Sequence, residues 1–161
     1  MSKKSANGDG NNYMLSAMLG YSSGRGNSVE EIVNGLKRSA GADGTRPTGT
    51  VYLMKNENIR STTRSLLFNE VKAALKSQRA AVKIEQGKVP QGKRDVIGTT
   101  LGTAKYNWKR SESQFLPGAI CDNLTSFGGV LRDGASQTPL SEAIRYGAAG
   151  ATGTVLSLIH I

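Results

Sequence analysis

Cys121, Asp122, Asn123, Thr125 and Ser126, followed by Gly128 and Gly129, are the residues whose types and spacing could do chemistry in this 161-residue sequence. Cys121 and Asp122 are the catalytic candidates. Asn123, Thr125, Ser126, Gly128 and Gly129 are the binding candidates. A cysteine attacks as the thiolate, so activation requires a cation, a metal or a helix N-terminus to lower its pKa. The surroundings of Cys121 point the other way. Ala119, Ile120 and Leu124 predict at least partial burial, and the adjacent Asp122 also disfavours a negative sulfur. Lys105, Lys109 and Arg110 could oppose this only if the preceding loop folded over the strand end. The plainer expectation for Cys121 is a small buried core residue with an unreactive thiol. One cysteine allows no internal disulfide, and with no CxxC pair or Cys/His cluster no metal site and no cofactor are expected.

The elements needed to position these residues follow from the pattern around them. Residues 115–121 form a short apolar run closed by Asp122 and Asn123, which suits a strand buried on both faces that runs out into a polar loop. In open α/β sheets binding gathers where strands end and loops begin. Upstream, Ser28 and Glu31 form a capping box, and Val29, Ile32, Val33 and Leu36 follow as the apolar stripe of an amphipathic helix. Residues 50–54 read as a strand, Leu67, Val71, Ala74 and Leu75 as the buried stripe of the next helix, and residues 81–84 as a second strand. Residues 96–101 are a third strand candidate despite Gly98, and residues 105–113 a basic, polar connection carrying Trp108. Downstream, Thr138 reads as an N-cap with Pro139 at the first helical position. Leu140, Ala143 and Ile144 would then face inward, Gly147 would end the helix, and a small-residue strand would occupy 148–155. Strands alternating with helices predict an α/β fold with a mostly parallel sheet and helices on both faces.

Composition narrows the function classes. The chain can hold one domain with a real core, expected over residues 12–155 behind a disordered, Gly/Asn-rich segment at 1–11. No run of about 18 apolar residues is present, so no membrane span is expected. Met1 is followed by Ser2, Lys3, Lys4 and Ser5, which is not a signal-peptide pattern, so none is expected. A net charge of +9 invites a nucleic-acid reading, but Lys and Arg are scattered, and the nine aromatics (three Phe, five Tyr, one Trp) do not interleave with them. A solvated basic surface facing an anionic polymer or an envelope protein is expected, with no specific nucleic acid. Residues 156–161 resemble the translation of a widely used sequencing adapter. The native sequence is therefore expected to stop near Val155 in a truncated reading frame, which would place the only histidine, His160, in foreign sequence.

Several blocks carry a family resemblance: Gly24-Arg-Gly-Asn-Ser28, Ala42-Asp-Gly-Thr-Arg-Pro47, Asn58-Ile-Arg-Ser-Thr-Thr-Arg64, Val89-Pro-Gln-Gly-Lys93, Leu116-Pro-Gly-Ala-Ile120, Leu124-Thr-Ser-Phe-Gly-Gly129, Gln137-Thr-Pro-Leu-Ser-Glu142 and residues 147–155. Together they resemble a family of uncharacterised prokaryotic proteins from genomes that carry exosortase, the protein-sorting system of the bacterial envelope. The resemblance implies a bacterial protein, exported or envelope-associated, and members that are longer at both ends. It implies no biochemical role, which leaves a binding or structural module without catalysis as the expectation. Architecturally, a strand ending near Cys121, a helix at 140–144 and a small-residue strand are similar to the caspase/gingipain-like fold, one version of the three-layer arrangement beside a Rossmann-like one. In those peptidases a histidine after one strand activates a cysteine after its neighbour. The base would fall within residues 96–107, where this sequence has no histidine. A carboxylate such as Asp122 or Glu112 has too low a pKa to hold a thiol's proton. A cysteine hydrolase using Cys121, or a hydroxyl of Thr125 or Ser126, is the alternative.

Overall fold

The computed structural model describes residues 21–45 and 47–154. The segment at 1–11 and the tail at 156–161 lie outside the described residues. The elements run α1 (Val29–Ala42), β1 (Thr50–Lys55), α2 (Ile59–Ser65), α3 (Phe68–Ser77), β2 (Ala81–Gln86), β3 (Val96–Leu101), α4 (Trp108–Ser111), β4 (Phe115–Asn123), α5 (Ser141–Arg145) and β5 (Gly150–Thr152). All five strands are parallel, in the order β2-β1-β3-β4-β5. This is one of the common doubly wound orders, whose reversal point lies between β1 and β3.

Alternation along β1 shows why the sheet needs cover on both faces. Tyr52 and Met54 join Val96, Trp108, Phe115, Ala119, Cys121 and Ala143 in the larger core, whereas Leu53 joins Phe68 and Val82 in the smaller one. Period-two alternation between two apolar cores is what a strand sandwiched between layers requires. Trp108 and Phe115 lie in the centre of the larger core, their rings stacked 3.9 Å apart at 7°. The indole N–H donates to the Ser113 carbonyl at 3.1 Å, so no polar atom of Trp108 is stranded by its burial. The connection at 105–113 thus holds a core anchor inside a basic loop.

The helices begin as local chemistry dictates, but they turn different faces inward than the sequence stripes suggest. In α1 the capping box is complete: Ser28 Oγ accepts from the Glu31 N–H, and a Glu31 carboxylate oxygen accepts from the Ser28 N–H. Its buried residue is Gly35, while Val29, Val33 and Leu36 of the expected stripe are exposed. The second helical region is broken in two at Leu66 and Leu67. Phe68 is the buried residue of α3, Leu75 of the expected stripe packs against the smaller core, and Leu67 and Val71 face solvent. Thr138 is no N-cap. Its hydroxyl instead bridges the N–H and carbonyl of Tyr106, and α5 starts later, after Leu140, with no side-chain cap. The strand β4 continues through Asp122 and Asn123, which were expected in a loop.

Candidate functional site

Parallel strands bring their carboxyl ends to one edge of the sheet. There Leu101 of β3 stands opposite Asn123 of β4, and Asp122 opposite Thr152 of β5. Asp122, Asn123, Thr125 and Ser126 therefore gather at this edge together with Gly128 and Gly129. Cys121 does not: it is 1% exposed and belongs to the core beneath.

Most of the predicted cluster is engaged in holding the edge itself together. Asn123 is buried and clamps the end of β3, its side chain accepting from the Thr103 N–H at 3.2 Å and donating to the Thr103 carbonyl at 3.1 Å. Thr125 is buried, and its hydroxyl accepts from the Gly128 N–H at 2.6 Å in a tight hydroxyl-capped turn. Gly129 donates to the Thr154 carbonyl at 2.8 Å. A Cβ on Gly129 would come within 2.6 Å of the Gly153 carbonyl oxygen, so two backbones meet here and glycine is required. The N–H groups of Ser126 and Phe127 both donate to Gln137 Oε1, at 2.9 and 3.0 Å.

Two residues outside the predicted cluster supply the charge. Arg60 and Arg64 stand four apart on α2, one turn of one helix face, which brings both guanidiniums over the ends of β3 and β4. Asn58 caps that helix, its side chain accepting from the Arg60 N–H at 3.1 Å. Arg60 Nη2 donates to Ser126 Oγ at 2.9 Å, and the buried Nε of Arg60 has no hydrogen-bond partner among the described residues. Arg64 donates to the Leu101 carbonyl at 2.7 Å and pairs with the Asp122 carboxylate. Thr152 also donates its hydroxyl to Asp122. The signal for these arginines was in the sequence, as the i, i+4 spacing of Arg60-Ser-Thr-Thr-Arg64 directly after a strand. Gln137 carried no such signal, since its role arises only when a distant loop folds back.

The chemistry open to Cys121 is narrow. Burial, together with the charge of Asp122, pushes its thiol pKa up to about 12, outweighing a hydrogen bond from Tyr106 and the charge of Arg64. Burial likewise pushes the Tyr106 hydroxyl up, so it is no base near neutral pH. The only histidine in the sequence, His160, lies outside the described residues. Among the described residues no group of three or more His, Cys, Asp or Glu side chains could hold a metal ion. At the reversal point between β1 and β3, Gly102 follows β3 and packs against the backbone of α2. A Cβ there would lie 2.5 Å from Ser61 Cα and N, so α2 itself fills the crevice. What remains for recognition is the arginine pair with its fringe of hydroxyl and amide groups. Guanidinium forks of this kind suit carboxylate or phosphate oxygens. No family model, no curated protein and no solved structure matches this chain.

Proposed function

We propose that this chain is a binding module, without catalysis of its own, of an exosortase-linked bacterial family associated with the envelope. Its ligand is an anionic polymer or the acidic surface of an envelope protein, taken at the carboxyl edge of the sheet. The observation that carries this reading is the Arg60–Arg64 pair laid across the ends of β3 and β4. The net charge of +9 supports it by drawing polyanions toward the surface before that pair engages them. Asp122 is then an internal stand-in for the ligand, neutralising Arg64 until an external acid replaces it. Among the described residues no helix is long and apolar enough to cross a membrane.

Polyglutamate and polyphosphate titrated by calorimetry test this. Arg60→Gln and Arg64→Gln should each weaken binding at least several-fold, more than Lys109→Gln or Arg110→Gln, which remove the same charge from an exposed site. Asp122→Asn should strengthen it by removing the internal competitor. Equal losses at all four positions would reduce the interaction to general charge and end the reading. The alternative, a cysteine hydrolase of caspase-like architecture, requires an imidazole beside Cys121. Peptidase activity abolished by Cys121→Ser would put it in first place.

A further inference from the structure

We propose, resting on the binding role given to Arg60 and Arg64, that the ligand is an acidic polysaccharide whose sugar-acid units seat in a cleft at the carboxyl ends of β1 and β2. The cleft holds about 400 Å³, near the lower end of the roughly 300–1,000 Å³ usual for ligand sites. Lys55 stands opposite Gln86 in the register of the two strands, and both line it. Its walls are tied together without a ligand. Asn56 accepts from the Asn58 N–H at 3.0 Å and donates to the Gly87 carbonyl at 3.3 Å, and the Gly87 N–H donates to the Lys55 carbonyl at 2.7 Å. A preformed site avoids the ordering cost that a loose one carries. The cleft also adjoins the arginine pair. Asn58 lines it and accepts from Arg60 Nη1 at 3.3 Å, while Arg60 Nη2 reaches Ser126 Oγ at 2.9 Å. One guanidinium thus joins the cleft to the ends of β3 and β4.

The lining selects the class of polymer. Lys55 and Lys88 bring two ammonium groups, and neither pairs with a carboxylate among the described residues. Beside them stand one carboxylate, Glu57, and the amides of Asn58 and Gln86. Ammonium groups only donate, carboxylates only accept, and amides do both. Hydroxyls donate and accept, so a hydroxyl-rich ring satisfies all three kinds of group within one small space. Phosphate oxygens in a polyphosphate only accept, and a charge on every repeat would be held against Glu57. An acidic peptide offers one backbone N–H per residue, about 3.3–3.6 Å apart along an extended chain, between carboxylates that Glu57 repels. The unit that fits is a ring of hydroxyls carrying a single carboxylate. Its ring suits the cleft, and its acid suits the lysines and the Arg60 guanidinium.

Titrating the full chain with oligogalacturonate and with oligoglutamate of equal charge tests this by calorimetry. The sugar acid should bind at least ten-fold more tightly. Glu57→Ala gives the deciding sign. Removing a negative charge strengthens a purely electrostatic complex with a polyanion, whereas here it should weaken oligogalacturonate binding at least three-fold by removing a hydroxyl acceptor. Oligoglutamate binding should stay the same or tighten. Gln86→Ala should likewise weaken only the sugar acid. Glu57 and Gln86 are both exposed, so neither change threatens the fold. Equal affinity for the two polymers, with Arg60→Gln still weakening both, would overturn the polysaccharide and leave the role of the arginines standing. Tighter oligogalacturonate binding by Glu57→Ala would overturn it too. Binding of both polymers indifferent to Arg60→Gln and Arg64→Gln would end the role of the arginines, and the polysaccharide with it.

Discussion

At the residue scale, Cys121 and Tyr52 set how the fold responds to alkali. Burial raises both, Cys121 to about 12 from 9.0 and Tyr52 to about 12 from 10.0, the latter helped by its hydrogen bond to Asp95. Both groups are neutral when protonated, so the folded state keeps protons that the unfolded chain gives up. Their contribution to stability is full below the unfolded pKa and is lost as pH rises toward the folded value. The urea midpoint should therefore hold near pH 8 and fall between about pH 9 and pH 12. Cys121→Ser should shallow the fall and cost about 1 kcal/mol at neutral pH. A midpoint flat across that range would mean that neither group is protected. Iodoacetamide near pH 6.5 should alkylate the native thiol more slowly than the unfolded one, and a faster native reaction would mark an activated nucleophile. Acid works through Asp95, held below the usual carboxylate range by hydrogen bonds from Thr50 and then Tyr52. Its stabilisation is present above the unfolded pKa and is lost as pH falls through the folded one.

At the element scale, the parts of the fold that depend on local chemistry were legible and those that depend on packing were not. Residues 96–101 read as a strand and are one, because four β-branched residues outweigh a single glycine. The capping box at Ser28 is equally local. Ser28→Ala should cost about 1 kcal/mol in a thermal or denaturant melt, and no measurable loss would mean that α1 is held by its packing alone. The stripe of α1, and that of α3 apart from Leu75, does not match the inward face, because an apolar stripe says which side could be buried, not whether a neighbouring layer is there to bury it. In α1 close approach is set by Gly35, and in α3 by Phe68. Trp108 was equally hidden, since its stacking on Phe115 joins residues on different elements and a basic loop gives no hint of a core anchor. Trp108→Ala should cost about 3–5 kcal/mol. A loss under 1 kcal/mol would show that the stack contributes little.

At the scale of the whole molecule, the sheet and the charge have to be reasoned about together. Parallel strands collect their polar ends at one edge, and the order β2-β1-β3-β4-β5 sets α2 over that edge, so two arginines from early in the chain meet Asp122 and Ser126 from late in it. The late half of this site was visible in the sequence as a run of polar residues after a strand. The early half needed the strand order. The remaining positive charge has no such focus, and a diffuse field attracts any polyanion through counterion release without reading its sequence. A random DNA duplex should therefore bind weakly, with an affinity that falls steeply between about 0.05 and 0.2 M salt. Scrambling the duplex sequence should change nothing. Arg60→Gln and Arg64→Gln should each lower the salt slope by about as much as any other single charge removed, because duplex phosphates meet the whole surface rather than the strand edge. Sub-micromolar binding at about 0.15 M salt that discriminates between duplex sequences would contradict this. It would show that the basic residues converge on a nucleic acid, and the envelope polymer would lose its place to it.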